Sequence, residues 1–322
     1  MNGHPDRPNW FSRPAPIGLA LGSGVARGWA HIGVLRALER AGIRPDIIAG
    51  TSIGAVVGGC YAAGKLHPLE EWATGLTQSR LFRFLDIRLG SSGLIAGNRL
   101  ADELTDKLGD LEIQHLSQRF IAIATELATG HEIWLREGNL VENLRASYAL
   151  PGIFNPVRVH NHWLIDGALV NPVPVSVCRA FGARLVIAVN LNADSFGKGT
   201  FADAEHLRHD EDEDEDENAE EGGFRALLSA AKRPDRLLLR QLFGVGNSAP
   251  GLTDVMFASL NIIQDRLARS RLAGDPPDIT INPQVAHVGL VEFHRARELI
   301  DLGEEAMEAA IPTVRDALSF LQ

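Results

Sequence analysis

Three short stretches hold the residues able to do chemistry, in chain order Gly22-Ser23-Gly24-Val25-Ala26-Arg27-Gly28, Gly50-Thr51-Ser52-Ile53-Gly54 and Asp166-Gly167-Ala168. The middle stretch is a G-x-S-x-G between an apolar run, PDIIAG, and a run of small residues, GAVVGGCYAAGK. That strand-to-helix context gives the motif its meaning. A serine in so sharp a turn takes a strained backbone, and Gly50 and Gly54 let strand and helix approach without a Cβ clash. Ser52 then stands clear at the carboxyl edge of a sheet, where it can attack an acyl carbonyl.

Such an attack makes the carbonyl oxygen negative, so preorganised N–H donors are needed beside the serine. The first stretch, LALGSGVARG, looks at first like a dinucleotide-binding turn. That reading requires an acid at the tip of the second strand for the ribose hydroxyls. Here the second strand ends IIAGTSIGA, without one. Gly22, Gly24 and Gly28 also follow G-x-G-x-x-x-G, with Arg27 where the third glycine belongs, and no Gly-Lys-Ser/Thr follows to make a P-loop. The amides of Ser23, Gly24 and Val25 suit an oxyanion better than a phosphate. Arg27 anchors the loop or meets an anionic head group.

The serine proton needs an acceptor. Of the 11 histidines, His31 falls on the helix after the glycine loop and His160 and His162 flank a hairpin turn, none in the place of an α/β-hydrolase histidine. Asp166 ends an apolar strand, and Pro172 and Pro174 fix the chain that follows. A carboxylate there can take the proton directly; an ordinary Asp-Gly turn is the other reading.

The elements that must position these groups alternate. Ile17 to Leu21 reads as a strand, GWAHIGVLRALERAG as a helix stopped at Gly42, PDIIAG as a strand and GAVVGGCYAAGK as a helix. RFIAIATEL (119 to 127), a helix from Asn139 to about Ala149, a hairpin VRVHNHWLIDG turning at Asn161, and the apolar strand RLVIAVNL (184 to 191) follow. The alternation predicts an α/β fold with a mainly parallel sheet. Farther on, Met256, Leu260, Ile263 and Leu267 predict one buried helical stripe, DPPDITINP a late strand, and the C-terminal residues an amphipathic helix interrupted at Pro312. No internal repeat is present.

The chain of 322 residues, 45% apolar and 22% charged, is long enough to bury a core without metals or disulfides. Cys60 and Cys178 lack ligand-spaced partners, which fits a reducing, cytoplasmic compartment, and no metal or cofactor site is expected. MNGHPDRPNWFSRPAP has no signal-peptide core, and no apolar run reaches the ~18 residues of a membrane span. The net charge of −10 is local: residues 210 to 221 carry ten acids and no base, leaving 31 acids against 31 bases elsewhere. That stretch reads as a disordered, self-repelling insert that keeps anionic partners away, and it argues against nucleic acid as a partner. The expected organisation is one domain: a lead over 1–16, a catalytic core over 17–192, the acidic insert over 193–223 and a helical part over 224–322 packed on the core.

Taken together, LGSGVARG, GTSIG and DGA in this order resemble the patatin-like phospholipase family, and within it the bacterial RssA-type proteins related to neuropathy target esterase. RGWAHIGVLRALE, RASYALPGIFNPV and LIDGALVNPVPV extend the likeness from about Ile17 to about Leu191, and RLARSRLAGDPPDITINP continues it. The resemblance implies a three-layer α/β/α fold and a Ser-Asp dyad: Ser52 matches the nucleophile, Asp166 the proton acceptor, and Ser23, Gly24 and Val25 the oxyanion loop. It implies hydrolysis of a phospholipid or lysophospholipid-like acyl ester through an acyl-enzyme, with peripheral contact at the inner face of the membrane. The family's loop is often a run of glycines, so Ser23 and Val25 are departures, and Val25 and the acidic insert motivate a second reading as a weakly active or inactive regulatory or interaction protein. Residues 81 to 97, LFRFLDIRLGSSGLIAG, with Arg80, Arg83 and Arg88, are a candidate acyl-pocket wall able to meet a lipid surface.

Overall fold

A computed structural model of the chain describes residues 15–77, 93–95, 98–193 and 252–321. The candidate acyl wall, apart from residues 93–95, its arginines, the acidic insert beyond residue 193 and the boundary at 223 lie outside the described residues. The chain divides into two compact units, Met1–Asp194 with Leu267–Gln322, and Ser195–Arg266.

In chain order the elements are β1 (Ile17–Leu21), α1 (Ala30–Arg40), β2 (Ile47–Thr51), α2 (Ile53–Ala62), α3 (Leu66–Thr74), β3 (Gly93–Ile95), α4 (Asn98–Leu108), β4 (Arg119–Glu126) and β5 (Glu132–Leu135). Then come α5 (Leu140–Ser147), β6 (Gly152–Phe154), β7 (Val157–Val159), β8 (His162–Asp166), α6 (Val175–Ala180), β9 (Leu185–Val189), α7 (Leu252–Gly274), β10 (Ile279–Ile281) and α8 (Ala296–Ser319). Eight strands form one sheet in the order β10-β9-β1-β2-β4-β8-β7, with β5 also on β4. From β10 to β4 every pairing is parallel, and β5, β8 and β7 run antiparallel to their neighbours. The fold is α/β with a mostly parallel central sheet, as the alternation of elements predicts.

The period of two along each strand separates two cores. Leu19 and Leu21 of β1 with Leu185, Ile187 and Val189 of β9 turn to one face, under α1, α2, α5 and α8. Ala20, Val186 and Ala188 turn to the other, under α6 and the last turns of α7, where Ala268 and Leu272 pack. Both faces are covered, so the central strands read as unbroken apolar runs. The three layers put the carboxyl ends of β1, β2 and β9 side by side.

Two expectations for the C-terminal part need correction. Met256 and Ile263 are 38% and 52% exposed, and it is Asn261, Gln264, Asp265 and Ala268, at the same three- and four-residue spacing, that are buried. Gln264 and Asp265 have polar partners, which is what lets a polar stripe be the inward one. Helix α8 also continues through Pro312 instead of breaking there. Pro312 is on the exposed side, so the carbonyl one turn earlier, deprived of its N–H, can be solvated.

Candidate active site

The turn between β2 and α2 is as sharp as its glycines suggest. Ser52 has φ 57° and ψ −124°, a left-handed conformation that costs a non-glycine residue on the order of 1–3 kcal/mol and persists only where its surroundings enforce it. The enforcement is visible. Ser147, the last residue of α5, accepts the Ser52 N–H at 3.0 Å through Oγ and donates to the Ile123 carbonyl at 2.6 Å. On the other side a Cβ on Gly54 would meet the Leu21 carbonyl and lie 2.6 Å from that of Gly22, so only glycine lets α2 start so close to the end of β1. Gly50 lies within β2 and Gly22 directly follows β1.

Asp166, the last residue of β8, sits beside β4 in register with Ala124, just beyond the Thr51–Ile123 pair. It therefore comes to the end of β2. Ser52 Oγ donates to Asp166 Oδ2 at 2.7 Å, and both residues are buried. Asp166 Oδ1 accepts the Ala168 N–H at 2.8 Å across the turn opened by Gly167, and the Asp166 carbonyl accepts the Thr125 hydroxyl at 2.8 Å. Burial raises the carboxyl from 3.8 to about 6, opposed by the bonds from Ala168 and Ser52. Burial thus disfavours the ionised form of a carboxyl held directly against the Ser52 hydroxyl.

The glycine loop lies on the same edge. Ser23 N–H is committed to the Pro172 carbonyl at 2.9 Å, Ala26 N–H to Leu290 at 3.1 Å and Arg27 N–H to Gly24 at 3.1 Å. The amides of Gly24 and Val25 donate to no carbonyl among the described residues, and the same holds for Ile53 at the first turn of α2. Of the three loop residues named from sequence, Ser23 has thus spent its amide. Val25 has φ 51°, an uncommon value for a β-branched residue. A Cβ on Gly28 would overlap the Ile53 side chain, so the loop packs directly on the turn that carries Ser52. Arg27 is buried, with Nε and one terminal nitrogen donating to the carbonyls of Val288 and Ala286 at 2.7 and 2.9 Å. It ties the loop to that segment.

Among the described residues no histidine joins the pair. His31 is fully buried on α1 and its Nε2 lies 2.8 Å from the Gly22 carbonyl, so that nitrogen carries the proton. Burial lowers its pKa to about 4, against the pull of that carbonyl. His162 is exposed at the start of β8 and pairs with Glu126. Cys60 and Cys178 are free, buried thiols, each pushed up to about 12 by burial. No cluster of metal-ligating side chains occurs among the described residues.

Sequence reasoning passed over Ser147 and Asn171, although both lie inside stretches quoted for their family likeness. Asn171 accepts the Thr51 hydroxyl at 2.8 Å through its carbonyl and donates its N–H to Gly167 at 2.9 Å, so it joins the serine turn to the aspartate turn. A polar residue in an otherwise apolar stretch was the available signal.

A family model described as patatin-like phospholipase matches residues 19–179. An uncharacterized NTE family protein of Mycobacterium tuberculosis is 34% identical over 331 aligned positions that cover 91% of each chain. Patatin-like phospholipase domain-containing protein 7 of Mus musculus is 34% identical over 59% of this chain and 15% of its own length, and protein 6 of the same species is 32% identical over 62% and 16%. The chain belongs to the patatin-like phospholipase family, in the company of NTE-related proteins. Membership places it among lipid acyl hydrolases in general and gives the α/β architecture its family name.

Proposed function

We propose that the chain is a serine esterase of lipid acyl groups that works with a Ser-Asp dyad. The hydrogen bond of 2.7 Å between Ser52 Oγ and Asp166 Oδ2, at a strained turn on the sheet's carboxyl edge, carries the reading. Ser52 Oγ attacks the ester carbonyl while its proton passes to Asp166, and the amides of Gly24, Val25 and Ile53 receive the developing oxyanion. Collapse expels the alcohol, which takes the proton back from Asp166. Water, deprotonated by the same carboxylate, then releases the fatty acid and restores the serine. The dipole of the buried helix α2, with Ser52 at its N-terminus, favours the negative charge.

The substrate class is a phospholipid or lysophospholipid-like acyl ester presented at a membrane surface. Beyond Ile123, which pairs with Thr51, β4 rises three more residues to Glu126, roughly 10 Å at ~3.3 Å per residue, and Leu127 follows in the turn. Leu127 N–H donates to the Trp163 carbonyl, and the two side chains are 52% and 53% exposed beside Arg158 on β7. Aromatic, aliphatic and basic groups at the rim suit an interface of head groups and acyl chains. Trp163→Ala should weaken binding to phosphatidylglycerol vesicles while leaving turnover of a soluble ester intact; equal vesicle binding would rule out this rim. Among the described residues no helix is long and apolar enough to cross a membrane.

Fluorophosphonate labelling tests the nucleophile. Wild type should be modified at Ser52, whereas Ser52→Ala, folded by circular dichroism, should be unmodified and slower on a short acyl ester by on the order of 10³-fold or more. Activity retained in Ser52→Ala would sink the assignment. The conformation of Val25 supports a second reading, a family member with little turnover, and labelling of wild type without ester hydrolysis would favour it.

A further inference from the structure

The loop from Gly167 to Asn171 fixes how Asp166 faces Ser52, and it is gripped from outside by two side chains distant in sequence. Arg271, in the last turn of α7, donates through Nε to the Val170 carbonyl at 3.1 Å and through a terminal nitrogen to Glu132 Oε2 at 3.3 Å. Glu132 on β5 in turn accepts Asn171 Nδ2 at 2.9 Å and Trp134 Nε1 at 2.8 Å through Oε1. Asn171, buried and also near Ser176 Oγ at 3.3 Å, reaches Thr51 through its carbonyl. Glu132 is itself in register with Thr125, the residue whose hydroxyl holds the Asp166 carbonyl. These bonds and that register together frame the Asp166 turn: Arg271 and Glu132 on the outside, Asn171 and Thr125 within.

We propose that Arg271 and Glu132 form a clasp that positions the Asp166 loop against Ser52, making both of them positioning residues for the reaction. The inference rests on the dyad described above. Arg271 is 37% exposed and Glu132 17%, and an ion pair this open adds little to stability. What the pair contributes is geometry. One planar guanidinium holds a loop carbonyl and a carboxylate at once, and that carboxylate holds the next loop residue. Misplacing a catalytic group by about 1 Å can slow the chemistry on the order of a hundredfold. Lysine, with a single ammonium, can meet Val170 or Glu132 but does not reproduce the fork.

The test compares wild type, Arg271→Ala, Arg271→Lys and Glu132→Gln on a soluble p-nitrophenyl ester, with thermal melts and the rate of fluorophosphonate labelling of Ser52. Arg271→Ala should lose about tenfold or more in kcat with KM within twofold, and labelling should slow in parallel while the melt changes little. Arg271→Lys should fall between it and wild type, and millimolar ethylguanidinium should restore part of the activity of Arg271→Ala. Glu132→Gln, which keeps the volume of Glu132, should show the same split between kcat and KM. Wild-type kcat in folded Arg271→Ala and Glu132→Gln would overturn the clasp. So would a loss that follows only the unfolded fraction and resists rescue. An unlabelled wild-type protein overturns the dyad itself, whereas equal labelling of wild type and Arg271→Ala overturns the clasp alone.

Discussion

Ser147 holds the main chain of Ser52: its hydroxyl accepts the Ser52 N–H at 3.0 Å while donating to Ile123 at 2.6 Å. The last residue of α5 thus stands between the backbone of Ser52 and Ile123 of β4, 95 residues along the chain from Ser52. A left-handed serine is unfavourable by itself, and this bond is one of the contacts that hold it there.

Ser147→Ala should accordingly cost about 1–3 kcal/mol of stability, the range for a buried donor and acceptor left unmet. Turnover should fall about tenfold to a hundredfold with KM little changed, because the hydroxyl of Ser52 loses its fixed direction. Denaturant melts and steady-state kinetics on a soluble ester check both. A variant that loses stability but keeps kcat would show that the turn is held without Ser147.

The pH dependence of kcat/KM reads the acceptor. In the proposed dyad Asp166 must be ionised to take the proton, and burial puts its pKa at about 6. Activity should rise with unit slope through pH 6 and level off above, and Asp166→Asn should be inactive across the range. A limb that moves when His162 is replaced would assign the proton to that imidazole instead.

Much of this arrangement is legible in the residues, for identifiable reasons. β1, β2 and β9 are buried on both faces and so announce themselves as apolar runs, and the G-x-S-x-G and Asp-Gly turns lie at strand ends, where a sheet's carboxyl edge presents side chains. Ser147, Glu132 and Arg271 are not legible, because what they do depends on a meeting across 95 residues for Ser147 and Ser52, and across 139 for Arg271 and Glu132. The stripe through Met256 and Ile263 shows the same limit. Helical period gives a face, and only the partners available to Gln264 and Asp265 decide that a polar face turns inward.

Val25 lies in the left-handed region with a β-branched side chain, which costs roughly 1–2 kcal/mol that glycine does not incur. Glycine gives back about 0.5–1 kcal/mol in chain entropy. Val25→Gly should therefore raise stability by up to about 1 kcal/mol and leave turnover equal or higher, since the amides of residues 24 and 25 keep their places. Melting and kinetics together decide: a drop in kcat at unchanged stability would mean that the valine side chain shapes the loop.

Asp166 and His31, both fully buried, push stability in opposite directions over nearly the same pH range. The aspartate pKa rises from 3.8 to about 6 on folding, so between those values the folded state holds the extra proton and stability falls as pH rises. The histidine pKa drops from 6.5 to about 4, so the unfolded state holds the extra proton and stability rises with pH across that window. A tenfold change in proton affinity between the folded and unfolded states is worth about 1.4 kcal/mol, and in wild type the two contributions largely offset between about pH 4 and 6. Asp166→Asn removes one of them. Relative to wild type, the variant should be more stable at pH 7, where the buried carboxylate is charged, by on the order of 1–3 kcal/mol, and most of that gain should vanish by pH 4. Urea melts of both proteins at pH 4, 5.5 and 7 measure the difference directly. A variant whose stability relative to wild type does not change with pH would mean that the carboxyl group of Asp166 ionises as freely folded as unfolded, and the case for it as an activated base would be lost.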